Sequence, residues 1–351
     1  MVDKIKLADG AGGQLMDKLI KQKILKYFEK TSIHAEIPLS MLDDSAVIDD
    51  IVFTTDSHTV QPIIFPGGDL GSLAVAGTVN DISVMGAKPI ALSAGFIVEE
   101  GLSIEKFEII VNSMSKVSRN ANVPIVTGDT KVVEKGAIQE FMINTSGIGK
   151  RTNILDNNIK KVKRFRSFNK RWLLDSNLKN GDIIILSGNI GEHGVALMSF
   201  REGYGFETKI KSDIAAINGL MEKALNVGGI VSAKDPTRGG LSNTVNEFSE
   251  KSNIGIILEE ENIPIPTGVR SACDMLGIDP LEIGNEGKVV LGVVKEKADD
   301  VLAKIKKHPL GKNAAIIGEA TDIIKGVVLK TTVGGKRNLH KPIGDPVPRI
   351  C

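Results

Sequence analysis

Cysteine is scarce in this chain: 351 residues carry two, Cys273 and Cys351. Two thiols so far apart make neither a disulfide framework nor a metal knuckle, so an essential cysteine is expected to act as a thiol. An excess of either charge is also missing. Lys and Arg number 44 against 43 Asp and Glu, for a net charge of +1. A dedicated nucleic-acid binder carries a basic surplus, so no nucleic-acid partner is expected. No apolar run approaches the ~20 residues needed to span a bilayer. The opening Met1-Val2-Asp3-Lys4-Ile5-Lys6 leads into Asp9 and glycines, not into an apolar signal core. No membrane association and a cytoplasmic location are therefore expected. With 42% apolar and 25% charged residues, the chain reads as globular and long enough for two ordinary domains.

Cys351 is the last residue, where a thiol is least useful for packing. From about Gly334 the chain carries Gly334, Gly335, Pro342, Gly344, Pro346 and Pro348. That composition disfavours helix and sheet and predicts a mobile tail over residues 334–351. Fully extended it would reach roughly 50 Å at ~3.1 Å per residue. Two readings stand at this point: a tethered thiol that visits a site elsewhere, or a frayed end that terminates in Cys by chance.

Along the chain, Asp9-Gly10-Ala11-Gly12-Gly13 forms a glycine loop before a helical pattern of Leu15, Leu19, Ile20, Ile24 and Phe28. Glycines before a helix let backbone N–H groups close on a phosphate; the alternative is a flexible lead-in. Asp43-Asp44-Ser45 and Asp56-Ser57-His58 flank two strands joined by an Asp49-Asp50 turn, which places two acidic clusters near each other. Carboxylates so placed repel unless a cation joins them. Asp69 is an N-cap candidate for a helix running to Met85. That helix is apolar and small almost throughout, yet contains Asn80 and Asp81, and a buried Asp needs a partner. A strand over Val123–Val126 is expected to end in Thr127-Gly128-Asp129-Thr130-Lys131. That would put a carboxylate, a hydroxyl and an ammonium at one strand end, a set suited to metal and phosphate. Residues 151–172 crowd Lys160, Lys161, Lys163, Arg164, Arg166, Lys170 and Arg171 together with Phe165, Phe168 and Trp172. They read as a basic linker or insertion, either a solvated loop or a docking patch for an acidic partner or nucleic acid. The second half repeats the plan of strands, glycine loops and helices, with a helix expected from Asp213 and motifs at Asp235–Gly240 and Asn285–Lys288. Cys273 falls in a helical stretch and reads as a small core residue.

Taken in order, Gly10-x-Gly12-Gly13, Asp43–Ala46, Thr55–Ser57, Phe65–Asp69, Asn80-Asp81, Gly128–Lys131, Asp235–Gly240 and Asn285–Lys288 resemble the aminoimidazole ribonucleotide synthetase superfamily of PurM-like ATP enzymes. The terminal Pro348-Arg349-Ile350-Cys351 narrows the resemblance to the HypE carbamoyl dehydratases of hydrogenase maturation. It implies an α/β (α+β) chain with a two-domain PurM-like ATP-binding fold and a flexible C-terminal tail. The domains would span residues 1–150 and 173–333, with the N-terminal sheets joining in a homodimer. Asp9 stands where HypE-like chains commonly carry His, and the basic stretch around 158–171 looks like an insertion.

The resemblance also implies a chemistry. A carbamoyltransferase, HypF, loads a carbamoyl group onto Cys351. ATP with Mg²⁺ drives its dehydration to S-cyano, and the cyanide passes to iron on a HypC–HypD scaffold. Metal-ligand candidates are Asp43, Asp56, Asp81 and Asp129. ATP and phosphate candidates are Gly10, Gly12, Gly13, Asn80, Thr130 and Lys131. Catalytic candidates are Cys351, Lys131 and Glu286, with Glu286 the better base because a carboxylate accepts a proton directly. The rivals are another enzyme of the superfamily, selenophosphate synthetase or the purine-pathway synthetase, and a non-catalytic scaffold that docks through its tail.

Overall fold

A computed structural model describes residues 4–28, 34–201, 209–344, 346–347 and 350. The first half opens with α1 (Gly13–Leu19), which continues through a π turn at Ile20–Ile24 into α2 (Leu25–Phe28). The strands β1 (Ala46–Ile48) and β2 (Ile51–His58) follow, then the short pair β3 (Ile64–Phe65) and β4 (Gly68–Asp69). Helix α3 (Leu70–Val84), β5 (Lys88–Glu99), α4 (Ile104–Ala121), β6 (Ile125–Val133) and β7 (Phe141–Lys150) complete it. After α5 (Asn153–Val162) comes the second half. It contains β8 (Ile183–Leu186), α6 (Glu192–Phe200), α7 (Asn218–Val227), β9 (Ile230–Lys234) and α8 (Gly240–Ser252). Then come β10 (Gly255–Glu259), α9 (Thr267–Leu276), β11 (Val290–Val293), α10 (Ala298–Ile305), β12 (Ala315–Thr321), β13 (Val327–Lys330) and β14 (Lys336–Asn338).

Two mixed sheets result, a five-stranded one in the order β1-β2-β7-β5-β6 and a seven-stranded one in the order β14-β13-β10-β12-β8-β11-β9. The β1–β2 hairpin turns on Asp49 and Asp50, both at positive φ, as a two-residue turn demands. Helix α3 starts where Asp69 accepts from the Ser72 N–H at 2.8 Å. Apart from Asp81, its side chains are buried all round. A helix apolar on every face belongs in an interior, and α3 packs on the first sheet and also meets α7 and β9 of the second half.

One face of the first sheet is left bare. Strand alternation puts Ile48, Ile51, Phe53, Ile97 and Ile148 on it, and all are substantially exposed. The same register adds Asp129 and Lys131 to that face.

Four expectations need correction. Thr127–Lys131 lie inside β6, not beyond its end, because the strand continues to Val133 in parallel register with β5. The helix expected from Asp213 begins at Asn218. Its predicted first turn is extended because neighbouring groups hold its backbone: Asn80 Oδ1 takes the Ile217 N–H and Glu286 O takes the Ala215 N–H. The basic stretch is no solvated loop. Leu155, Asn158, Ile159 and Val162 form the buried side of α5, and Asn158 bonds both backbone groups of Ile230. Phe168 and Trp172 are buried, while Arg166 pairs with Asp182 at 2.6 Å. The apolar residues among the lysines set this segment's position.

Finally, several described residues of the tail expected to be mobile from Gly334 are packed. Lys336–Asn338 pairs with β13, and Leu339, Lys341, Val347 and Ile350 are buried. Its few apolar side chains find slots, which the glycine and proline content did not reveal.

Candidate active site

A cleft of about 480 Å³ opens between the halves. Gly12, Gly13, Asp43, Asp44, Phe53, Thr55, Lys234, Thr237, Arg238 and Glu247 are among its lining residues. Phe53 and Thr55 belong to the bare sheet face, so the cleft reaches that face.

Charge is arranged in two zones, one lining the cleft and one buried beside it. In the first, lysines face the acids. Lys234 Nζ reaches Asp44 at 2.5 Å, Glu247 at 3.2 Å and Asp175 at 3.3 Å. Lys251 pairs with Asp175 at 2.7 Å and stands 3.8 Å from Asp43. Burial raises the Asp43 carboxyl to about 6, with Asp175 adding to the shift and Lys251 opposing it. In the second zone acids face acids. Burial carries Asp81 well above the usual carboxylate range, and Asp56, Asp235 and Asp44 push the same way against a 2.8 Å hydrogen bond from Thr54. Asp235 is raised to about 6 by burial, against Lys234, with Asp56 pushing up. Glu286 is fully enclosed and driven well above its normal value by burial and then by Asp235, Asp213 and Asp56. Its Oε1 has no hydrogen-bond partner, a costly state for a buried oxygen.

Glu247 behaves oppositely. Burial alone would raise it, but the ammonium groups of Lys234, Lys341 and Lys251 outweigh burial and hold it at about 2. A carboxyl depressed on folding contributes stability above its unfolded pKa and loses it as pH falls through the folded value. Glu247→Gln should therefore cost about 3 kcal/mol near pH 7. Urea unfolding at stepped pH should show the two proteins converging between pH 4.5 and 2.

The acids of the second zone bear on a divalent cation. Among the described residues no three His, Cys, Asp or Glu side chains stand together as a ready-made metal cage. Asp56 and Asp235 nevertheless push the Asp81 carboxyl up, and Asp56 pushes Asp235 up against the opposing Lys234. That suits Mg²⁺, which takes one or two carboxylates and fills its shell with phosphate oxygens and water.

Set against the sequence expectations, the fold brings Asp56 and Asp81 together and adds Asp235. Asp43 is instead engaged with Lys251 and the Asp175 N–H. Asp129 lies three strands from Asp56, roughly 14 Å at about 4.8 Å per strand, and on the opposite face of the sheet. Lys131 shares that far face, and Thr130 alternates to the other. Gly12 and Gly13 line the cleft, but Gly10 does not. The Gln14 and Leu15 N–H groups donate to Pro342 O and Ile343 O, so tail carbonyls meet this helix start. Asn80 is engaged with the backbone of Ala215, Glu286 and Ile217 and holds the two halves together. Cys351 lies outside the described residues. Asp175, Asp213, Asp235, Lys234, Glu247, Arg238 and His193 were given no role from the sequence, nor was Asp44 beyond its acidic cluster. Asp44, Asp235 and Arg238 sit in motifs that the sequence does display, but nothing local distinguishes the others.

The fold and cleft define a class. Residues 42–150 match the family described as AIR synthase related protein, N-terminal domain, and residues 179–329 match its C-terminal domain. This chain belongs to the HypE family within that class. It is 39% identical to carbamoyl dehydratase HypE of Escherichia coli (strain K12) over the full length of both chains, 100% of each. It is 44% identical to carbamoyl dehydratase HypE of Rhizobium leguminosarum bv. viciae, over 99% of this chain and 95% of that one. Among solved structures, the HypE–HypF complex matches with a TM-score of 0.81 and 43% identity, covering 91% of this chain and 100% of that one. Hydrogenase maturation protein HypE in complex with ATP matches with a TM-score of 0.78 and 39% identity, covering 99% and 100%. Among the described residues no helix is long and apolar enough to cross a membrane.

Proposed function

We propose that this chain uses ATP to dehydrate a carbamoyl group carried on the Cys351 sulfur, leaving an S-cyano group. The cyano group then serves as the cyanide ligand of a [NiFe]-hydrogenase iron centre. The observation that carries this reading is where the chain's end is held. Ile350, one residue before the thiol, packs beside Gly284, adjoining Asn285 and Glu286. The loop Asp235–Arg238 links the two places: Thr237 and Arg238 line the cleft, and Thr237 O adjoins Gly284. A nucleotide on one side and a tail on the other would meet at the acidic zone.

The carbamoyl oxygen attacks the γ-phosphorus of ATP, ADP leaves, and an N–H proton passes to a base. Loss of the second N–H proton with departure of phosphate forms the C≡N bond. The sum is carbamoyl thioester plus ATP giving thiocyanate, ADP, phosphate and a proton. Phosphorylation turns a poor leaving oxygen into a good one. Glu286 is the base. Asp56, Asp81 and Asp235 would hold Mg²⁺, which supplies charge neutralisation at the phosphates. Arg238, beside Gly12 in the cleft, is placed to meet phosphate charge. HypF would load the carbamoyl group, and a HypC–HypD complex would receive the cyanide.

Lys131 and Asp129 enter through a homodimer. Their sheet face is bare, carries the exposed Ile48, Ile51, Phe53, Ile97 and Ile148, and is continuous with the cleft mouth at Phe53 and Thr55. A second copy laid on that face would bury it and carry its own Asp129 and Lys131 to the first copy's cleft.

Mass spectrometry of the terminal peptide, after incubation with HypF, carbamoyl phosphate, ATP and Mg²⁺, tests the reaction. The carbamoylated peptide is expected to lose one water equivalent only when ATP is present. A carbamoylated peptide that keeps its water with ATP, or loses it without ATP, overturns the reading.

A further inference from the structure

We infer that His193 is the anchor of the C-terminal tail: its imidazole holds the Ile350 carbonyl and so sets where the residue that follows is presented. This deepens the dehydratase reading and rests on Cys351 being the carrier thiol.

His193 is completely buried at the start of α6. Its Nε2 lies 2.8 Å from Ile350 O and its Nδ1 lies 2.7 Å from Ser212 Oγ. A carbonyl oxygen only accepts, so the proton sits on Nε2 and the Ser212 hydroxyl donates to Nδ1. Ser212 Oγ in turn accepts from the Ile214 N–H at 3.3 Å. Burial lowers the His193 pKa more than neighbouring Asp213 raises it, which keeps the ring neutral with a single N–H. Ser212 is itself tied to the other half of the chain, since its N–H donates to Pro66 O at 2.8 Å. Phe65 meets the imidazole edge-on, with ring centroids 5.7 Å apart. The ring's tautomer and orientation are thus fixed before the tail arrives, as second partners fix metal-bound or catalytic histidines.

The slot beside it is shaped for this tail. Val347 and Ile350 are buried in one apolar cluster with Phe65, Val195, Val269 and Ile283. A Cβ on Gly284 would stand 2.3 Å from Ile350 Cδ1, so only glycine leaves room for that side chain. The mechanism gives His193 no proton to move, and a buried imidazole needs acceptors and donors for both nitrogens. Here one nitrogen is satisfied by the framework and the other by the tail alone. Undocking the tail would leave the Nε2 N–H without its partner, which favours the docked state.

Alkylation of Cys351 by N-ethylmaleimide reads the docked fraction on the full-length protein without ATP or carbamoyl donor. Cys273 is buried and its thiol is pushed up to about 11, and peptide mapping separates the two sites. His193→Phe keeps a ring against Phe65 but removes the donor, and should raise the labelling rate of the terminal peptide several-fold, up to about tenfold. His193→Gln restores an N–H near the Nε2 position and should return labelling to within about twofold of wild type. Ser212→Ala, which frees the tautomer, should move labelling in the direction of the Phe variant. Single-turnover dehydration should fall in His193→Phe and recover in His193→Gln. Unchanged labelling in a folded His193→Phe overturns the inference. Should that variant not fold, unchanged labelling in Ser212→Ala does the same. The labelling assay consumes no substrate, so failure of the anchor and failure of the dehydratase reading are read separately.

Discussion

Replacing Glu286 by Gln is expected to slow dehydration by about 10²–10⁴-fold, the range a positioned base contributes, while leaving ATP binding within about twofold. The substitution keeps the side chain's size and removes only the carboxylate. Glu286 is buried, and its Oε1 has no partner; an amide there asks nothing new of the packing. It does not line the nucleotide cleft, so affinity measured by calorimetry should hold while single-turnover product formation collapses. A second signature follows from its surroundings. Burial and the nearby acids Asp235, Asp213 and Asp56 favour the protonated form. The base form is therefore gained as pH rises, and the wild-type rate should climb with pH in a limb that Glu286→Gln lacks. A flat wild-type profile, or a variant that dehydrates at the wild-type rate, would remove Glu286 from the role.

The second large effect concerns Lys131, and it separates two arrangements of the site. Lys131→Ala and Glu286→Gln should each be inactive alone. Lys131 is on the bare face of the first sheet, opposite to the face that carries Asp56. It cannot reach the acidic zone of its own chain. If a second copy supplies it, mixing the two inactive variants and allowing subunit exchange should restore about a quarter of wild-type activity. Half the dimers are then mixed, and each has one site with both groups intact. Were Lys131 to act within its own chain, every site would lack one group and the mixture would stay inactive. Ultracentrifugation of the same samples checks that a dimer is present. A lone monomer with full activity would falsify the shared-site arrangement.

Much of the cleft was legible before any coordinates. Asp81 stood out because an acid inside an apolar helix needs a partner, and Asp56, Asp235 and Asp44 all bear on it. Asn80 stood out on the same ground, and its amide ties the segment at Ala215–Ile217 to Glu286. Local sequence shows that a buried polar group needs partners; it does not say which. Gly13 shows the same gap. A Cβ there would meet Pro342 O at 2.1 Å, so that glycine accommodates the tail. The lysine pairs that engage Asp43 and Asp44 come from residues about 190 or more positions further along the chain. No spacing rule links them.

By itself the sequence determined the ordered acidic and glycine motifs, a central helix too apolar to face water, and a thiol at the very end of the chain. Those are properties of residue type and local period, which the chain carries whether folded or not. Only the tertiary structure decided which carboxylates face one another, which face of the sheet carries Lys131, and where Ile350 rests. The reason is register. In a strand one residue's shift moves a side chain to the opposite face, and the strand pairings are set by contacts across tens to hundreds of residues. The tail was read as free because its glycines and prolines disfavour regular structure. It is held because Lys341 meets Asp17 and Glu247, Val347 and Ile350 enter an apolar slot, and His193 receives the Ile350 carbonyl.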